Sequence, residues 1–138
     1  GGKAGGPALV SRTPINFVSG HTKPWNLITP SRCQDPHHAL YGRELRGTVL
    51  VFPTSVGSTY SGLIVMGLIC RGISPAALLV QHADSYLVSG SVLADVWFDQ
   101  RIPILEIPRA DLFELIRTGD RLSIDGDCAW LDRDRSLQ

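Results

Sequence analysis

The chain lacks a dominant charge. Its 13 Lys and Arg residues balance its 13 Asp and Glu residues, so no basic face argues for nucleic acid. No apolar run reaches the roughly 18 residues of a membrane span, and no apolar h-region follows Gly1–Gly6 as in a signal peptide. Its three cysteines, Cys33, Cys70 and Cys128, lie far apart and form no C-x-x-C. That excludes a disulfide scaffold and suits a reducing, cytoplasmic setting. No Cys, His and carboxylate set has metal-ligand spacing, so no metal is assigned to this chain. There is also no G-x-x-x-x-G-K-[ST] and no G-x-G-x-x-G, which removes the P-loop and dinucleotide fingerprints.

What is present is enough for one domain. At 138 residues with 43% hydrophobic content, the chain can build an ordinary core. It reads as a single domain over 1–138, with residues 1–7 as a flexible N-terminal lead-in. Ala8–Ser11 and Ile15–Val18 read as short strands, and Gly47–Val51 as a buried strand. Leu63–Cys70 reads as a helix closing at Arg71-Gly72, and Pro75–Val80 as a second buried strand. The spacing predicts a helix over Ser85–Phe98, with Leu87, Val88, Val92, Leu93 and Val96 on its inner side. Pro103–Ile107 predicts a strand, Ala110–Arg117 an amphipathic helix, and Asp125-Gly126-Asp127 the turn of a hairpin. Strands alternating with helices imply parallel pairing. The fold class is α/β, with a central, mostly parallel sheet and a second β layer.

The most informative stretch is Phe52-Pro53-Thr54-Ser55-Val56-Gly57-Ser58-Thr59-Tyr60-Ser61-Gly62, between a predicted strand and a predicted helix. Backbone N–H groups at a helix start lack intrahelical partners, and the helix dipole favours an anion there. The residues leave two readings open. Ser58 or Ser61 caps the helix, or the loop holds a carboxylate or phosphate beside a reactive hydroxyl. The long stretch from Ser19 to Arg46 carries three of the four histidines, His21, His37 and His38, and irregular segments of that length are usually functional. His82 follows a strand, where α/β sheets place ligands. Asp84 and Asp95 carry the spacing of solvent-facing helix residues.

Several stretches, in this order and spacing, carry a resemblance. They are Ala8-Leu9-Val10-Ser11 with Pro14-Ile15-Asn16-Phe17, and Asp35-Pro36-His37-His38-Ala39-Leu40-Tyr41-Gly42 leading into Gly47–Pro53. Gly57-Ser58, Gly72-Ile73-Ser74-Pro75-Ala76-Ala77, Pro103-Ile104, and Leu112 through Gly119-Asp120-Arg121 follow. From about Ala4 to Gly126 the chain resembles the small subunit, or swivel domain, of aconitase X, a branch of the aconitase superfamily. The resemblance implies a swivelling β/β/α fold. It also implies a hydro-lyase that dehydrates a small hydroxy-carboxylate such as mevalonate 5-phosphate or cis-3-hydroxy-L-proline. It implies a heterodimer with a large subunit carrying iron or an iron–sulfur cluster, and Ser58 as the catalytic base. Gly57, Thr59, Ser61, Ser55 and His21 are then the substrate-binding candidates. His21 falls in Val18-Ser19-Gly20-His21, where family members carry an aromatic-Gly-Gly turn. Tyr60 stands where they have small residues, and the Arg that opens their loop is absent. A stand-alone, metal-independent isomerase, lyase or cyclase and a non-catalytic binding module are the alternatives.

Overall fold

The structure, a computed structural model, describes residues 3–15, 32, 38–55, 61–100, 102–126, 128–131 and 135–136. Seven strands and three helices are formed by these residues. In chain order they are β1 (Lys3–Val10), β2 (Val49–Phe52), α1 (Ser61–Cys70), β3 (Ala77–Val80), α2 (Ser85–Phe98), β4 (Ile104–Glu106), α3 (Leu112–Leu115), β5 (Arg121–Asp125), β6 (Cys128–Leu131) and β7 (Arg135–Ser136). The strands make one sheet in the order β4-β3-β2-β1-β5-β6-β7. β1, β2, β3 and β4 run parallel, while β5, β6 and β7 pair antiparallel.

β1 belongs to both halves. Residues 8–10 pair with Val49–Val51 of β2, and residues 3–7 pair with Arg121–Asp125 of β5. The changeover falls between Pro7 and Ala8. A Cβ on Gly6 would lie 2.4 Å from the Gly47 carbonyl oxygen, so only glycine lets the strand pass there. One expectation is corrected by this pairing. Residues 3–7 are strand, not a loose lead-in, because their backbone is hydrogen-bonded to β5. The β-rich ends of the chain supply the antiparallel part of the fold, β5, β6 and β7, beside the parallel centre.

Val49, Val51, Ala77 and Leu79 face one side of the sheet, and Leu50, Phe52, Leu78 and Val80 the other. All eight are buried, as expected for central parallel strands covered on both faces. α1 and α2 cover the second face through Val65, Leu68, Ile69, Leu87 and Ala94. Leu112 and Ile116, in and just after α3, cover the first together with Leu122, Ile124 and Leu131. α1 ends as the sequence suggests. Gly72 adopts φ 70°, and Ile73 N donates to Leu68 O at 3.1 Å, a left-handed helix stop.

The bounds of α2 match expectation, but its inner face does not. Val88, Val92 and Val96 are 39%, 52% and 70% exposed. The buried positions are Leu87, Gly90, Ser91 and Ala94, an i, i+3, i+4, i+7 face. The reason is close helix packing. A Cβ on Gly90 would stand 2.2 Å from the Gly62 carbonyl oxygen of α1, so the face with the smallest side chains goes inward. α3 is also shorter than predicted, four residues between Asp111 and Ile116.

These contacts set a paired test. Gly90→Ala must force α1 and α2 apart and is expected to cost roughly 1–3 kcal/mol, the usual cost of overpacking. Gly67→Ala, in the middle of α1 with nothing within 4 Å of its added Cβ, should gain about 0.5–1 kcal/mol. Urea unfolding of both variants reads the difference, and equal effects would contradict the Gly62–Gly90 contact.

Candidate functional site

Parallel strands end together, so the segments that follow them gather at one edge, where open α/β sheets hold ligands. Here that edge carries Ser11–Pro14 after β1, Pro53–Ser55 after β2, Gln81–Asp84 after β3 and Ile107–Arg109 after β4. The first two are joined by an Ile15 N to Thr54 O bond of 3.1 Å and a bridge between Ile15 and Ser55. His82 N donates to Pro53 O at 3.0 Å, Ala83 N to the Glu106 carboxylate at 2.8 Å, and Gln81 Nε2 to Arg109 O at 2.8 Å.

Asp84 is the residue of this edge whose place the sequence reading missed. It is the N-cap of α2, with Oδ1 accepting from Leu87 N at 2.8 Å. Its other oxygen, Oδ2, accepts the Ser55 hydroxyl proton. One carboxylate thus closes a helix start and fixes the exit of β2. The signal was available: Asp directly before Ser85, at the head of a helical pattern. What was not legible was the partner 29 positions away.

Of the predicted site residues, Ser55 is placed at the sheet edge, its hydroxyl proton committed to Asp84. Ser61 opens α1. Gly57, Ser58, Thr59 and His21 lie outside the described residues, as do His37, Trp25 and Cys33. His82 is exposed, and Cys70 and Cys128 are free thiols, partly buried. Among the described residues no group of three or more His, Cys, Asp or Glu side chains is placed to hold a metal ion. No described helix is long and apolar enough to cross a membrane.

His38 pins the exit of β1. Its Nδ1 accepts from Leu40 N at 3.0 Å, which puts the ring proton on Nε2. That nitrogen lies 3.1 Å from both Pro14 O and Thr13 Oγ1. Ser11, 2% exposed, bonds Thr13 O at 2.8 Å. Farther along the edge, Arg109 donates two bonds of 3.0 Å to the Asp111 carboxylate. Those bonds hold the carboxyl below its usual range. The support they give is present above the unfolded pKa and lost as pH falls through the folded one.

Asp84→Ala should cost about 1–2 kcal/mol, since it removes a cap and the Ser55 acceptor together. Ser55→Ala should cost less. In urea unfolding the double variant should match Asp84→Ala within a few tenths of a kcal/mol, because the second change then removes a contact already lost. Simple additivity of the two would disprove the Ser55–Asp84 link.

Comparison with known proteins follows the same architecture. Residues 1–132 match the aconitase X swivel domain. The chain is 42% identical over 114 residues to the phosphomevalonate dehydratase small subunit of Methanopyrus kandleri, covering 81% of this chain and 75% of that one. It is 32% identical over 126 residues to the protein of that name from Methanocella arvoryzae, covering 91% and 87%. In fold it is similar to the crystal structure of Thermococcus kodakaraensis aconitase X in its holo-form, with TM-score 0.76 and 23% identity, covering 95% of this chain and 91% of that one. The chain belongs to the aconitase X swivel-domain family.

Proposed function

We propose that this chain is the small subunit of a dehydratase acting on mevalonate 5-phosphate. The carrying observation is the match over residues 1–132 to the aconitase X swivel domain, joined to relatives named phosphomevalonate dehydratase small subunit. Those names favour the phosphorylated hydroxy acid over cis-3-hydroxy-L-proline. They support a large subunit as the partner, in a heterodimer. No metal chemistry is derived from the described residues of this chain, since they offer no fitting ligand set. An iron or iron–sulfur group of such an enzyme belongs to the large subunit.

The contribution of this chain is then a proton acceptor and an anion cradle. Ser58 stands midway in sequence between two fixed points, Ser55 tied to Asp84 and Ser61 at the start of α1. In the proposed step the Ser58 oxygen takes the proton from the carbon next to the substrate carboxylate. The C–H electron pair becomes the carbon–carbon double bond, and the hydroxyl on the neighbouring carbon leaves with its bonding pair as hydroxide, which the proton given up by Ser58 converts to water. A serine oxygen acts as a base only under strong positive potential. The start of α1 is one source, through its unpaired amides and dipole. Gly57, Thr59 and Ser61 supply amide or hydroxyl donors to the substrate carboxylate, and His21 is a further contact.

Co-expression with the large subunit, followed by assay of mevalonate 5-phosphate dehydration, tests this. Ser58→Ala should lower kcat by roughly a hundred-fold to ten-thousand-fold, the usual loss for a general base, with fold and assembly intact. If Ser58 only caps α1, the same change costs about 1 kcal/mol of stability and leaves the rate nearly unchanged. Turnover of cis-3-hydroxy-L-proline in preference to the phosphorylated acid would overturn the substrate assignment.

A further inference from the structure

A cavity of about 400 Å³ opens between the exit of β1 and the segment around α3. It lies at the same edge as Ser55 but on the opposite face of the sheet from α1 and α2, because its floor residue Ile116 packs with Val49, Val51 and Leu79. Its floor is apolar, formed by Val10, Phe113 and Ile116, and its rim carries Arg12, Arg117 and Thr118. No acidic residue lines it.

The donors are arranged for an anion. A guanidinium has five N–H groups and stays charged at any physiological pH. Arg12 spends one on Phe113 O, at 3.1 Å, a bond that ties it to the far wall and leaves the rest available. Among the described residues no carboxylate pairs with Arg12 or Arg117. The Asp120 carboxylate nearby accepts from the Arg117 backbone amide at 3.0 Å. Thr118 Oγ1 accepts from Val10 N at 3.0 Å, so its own hydroxyl proton is left to donate. The wall is held still by Ser11, Thr13 and His38, through the bonds described above. Two guanidinium groups and a hydroxyl over an apolar floor suit a phosphate monoester on a short carbon chain.

We propose that this cavity binds the phosphate group of the substrate, with Arg12 and Arg117 as its clamp. The proposal rests on the dehydratase reading for the identity of the substrate, not for the cavity's preference for phosphate.

In the assembled enzyme, Arg12→Gln and Arg117→Gln should each raise KM for mevalonate 5-phosphate roughly ten- to a hundred-fold, the loss expected for a charge-assisted bond. Arg12→Lys should recover part of it, and non-phosphorylated mevalonate should show no such dependence. In the full chain alone, inorganic phosphate should shift the amides of Val10–Thr13 and Phe113–Thr118, and the double Gln variant should abolish those shifts. Unchanged KM in both Gln variants, or phosphate shifts confined to other segments, overturns the clamp and leaves the dehydratase reading standing. Absence of mevalonate 5-phosphate turnover by the wild-type assembly overturns that reading, and the phosphate titration then decides the cavity by itself.

Discussion

The double pairing of β1 is the constraint on which the rest depends. One eight-residue strand bonds β2 along one edge and β5 along the other. It thereby joins the parallel α/β half to the antiparallel hairpin half. Gly119 N to Ala8 O at 2.9 Å and Ala8 N to Asp120 O at 2.6 Å close the seam where one pairing gives way to the other. Without that seam the chain would hold two small sheets, each with a hydrophobic face too narrow to bury. With it, Val49, Val51, Ala77 and Leu79 share one core with Leu122, Ile124 and Leu131. The segment leaving β1 is then held from several sides, by Val51 O, Thr54 O and His38, so the chemistry-bearing edge inherits its rigidity from the strand.

The edge itself is built on economical use of polar groups. Asp84 serves Leu87 N and Ser55 at once. Glu106 takes the Ala83 amide, and Gln81 reaches the Arg109 carbonyl. These bonds fix the stems of the loops after β2, β3 and β4 against each other. Catalytic groups need such support, because a small misplacement at the reacting atoms costs orders of magnitude in rate. The stem that precedes Ser58 in sequence, at Ser55, is of this kind.

Much of the fold was legible in the sequence, and the failures share a cause. The bounds of α2 followed from the spacing of its apolar residues, and the hairpin turn followed from Asp125-Gly126, where Gly126 adopts φ 62°. The inner face of α2 was not legible. Hydrophobicity ranked Val88, Val92 and Val96 above Gly90 and Ser91, while the approach of Gly62 made small size the deciding property. The extent of β1 was hidden for a related reason, since Gly5-Gly6-Pro7 reads as a turn until β5 and Gly47 are seen beside it. The hydroxyl-rich run starts at the sheet edge after β2, where Ser55 sits, and Gly57, Ser58 and Thr59 lie outside the described residues. The Ser55–Asp84 link and the cavity under Arg12 and Arg117 are long-range juxtapositions, and no local pattern encodes them.

The described residues gather hydroxyls, amides and guanidinium groups at one edge of the sheet. The exposed valines of α2, continued by Trp97 and Phe98 at 63% and 52% exposure, leave an apolar stripe of the sort that soluble monomers rarely keep. β1 divides the polar edge into two neighbouring stations. Ser55 is tied to the N-cap of α2 on one side, and the arginine-rimmed cavity lies on the side of α3. Both are anchored through the strand that is itself paired along both edges.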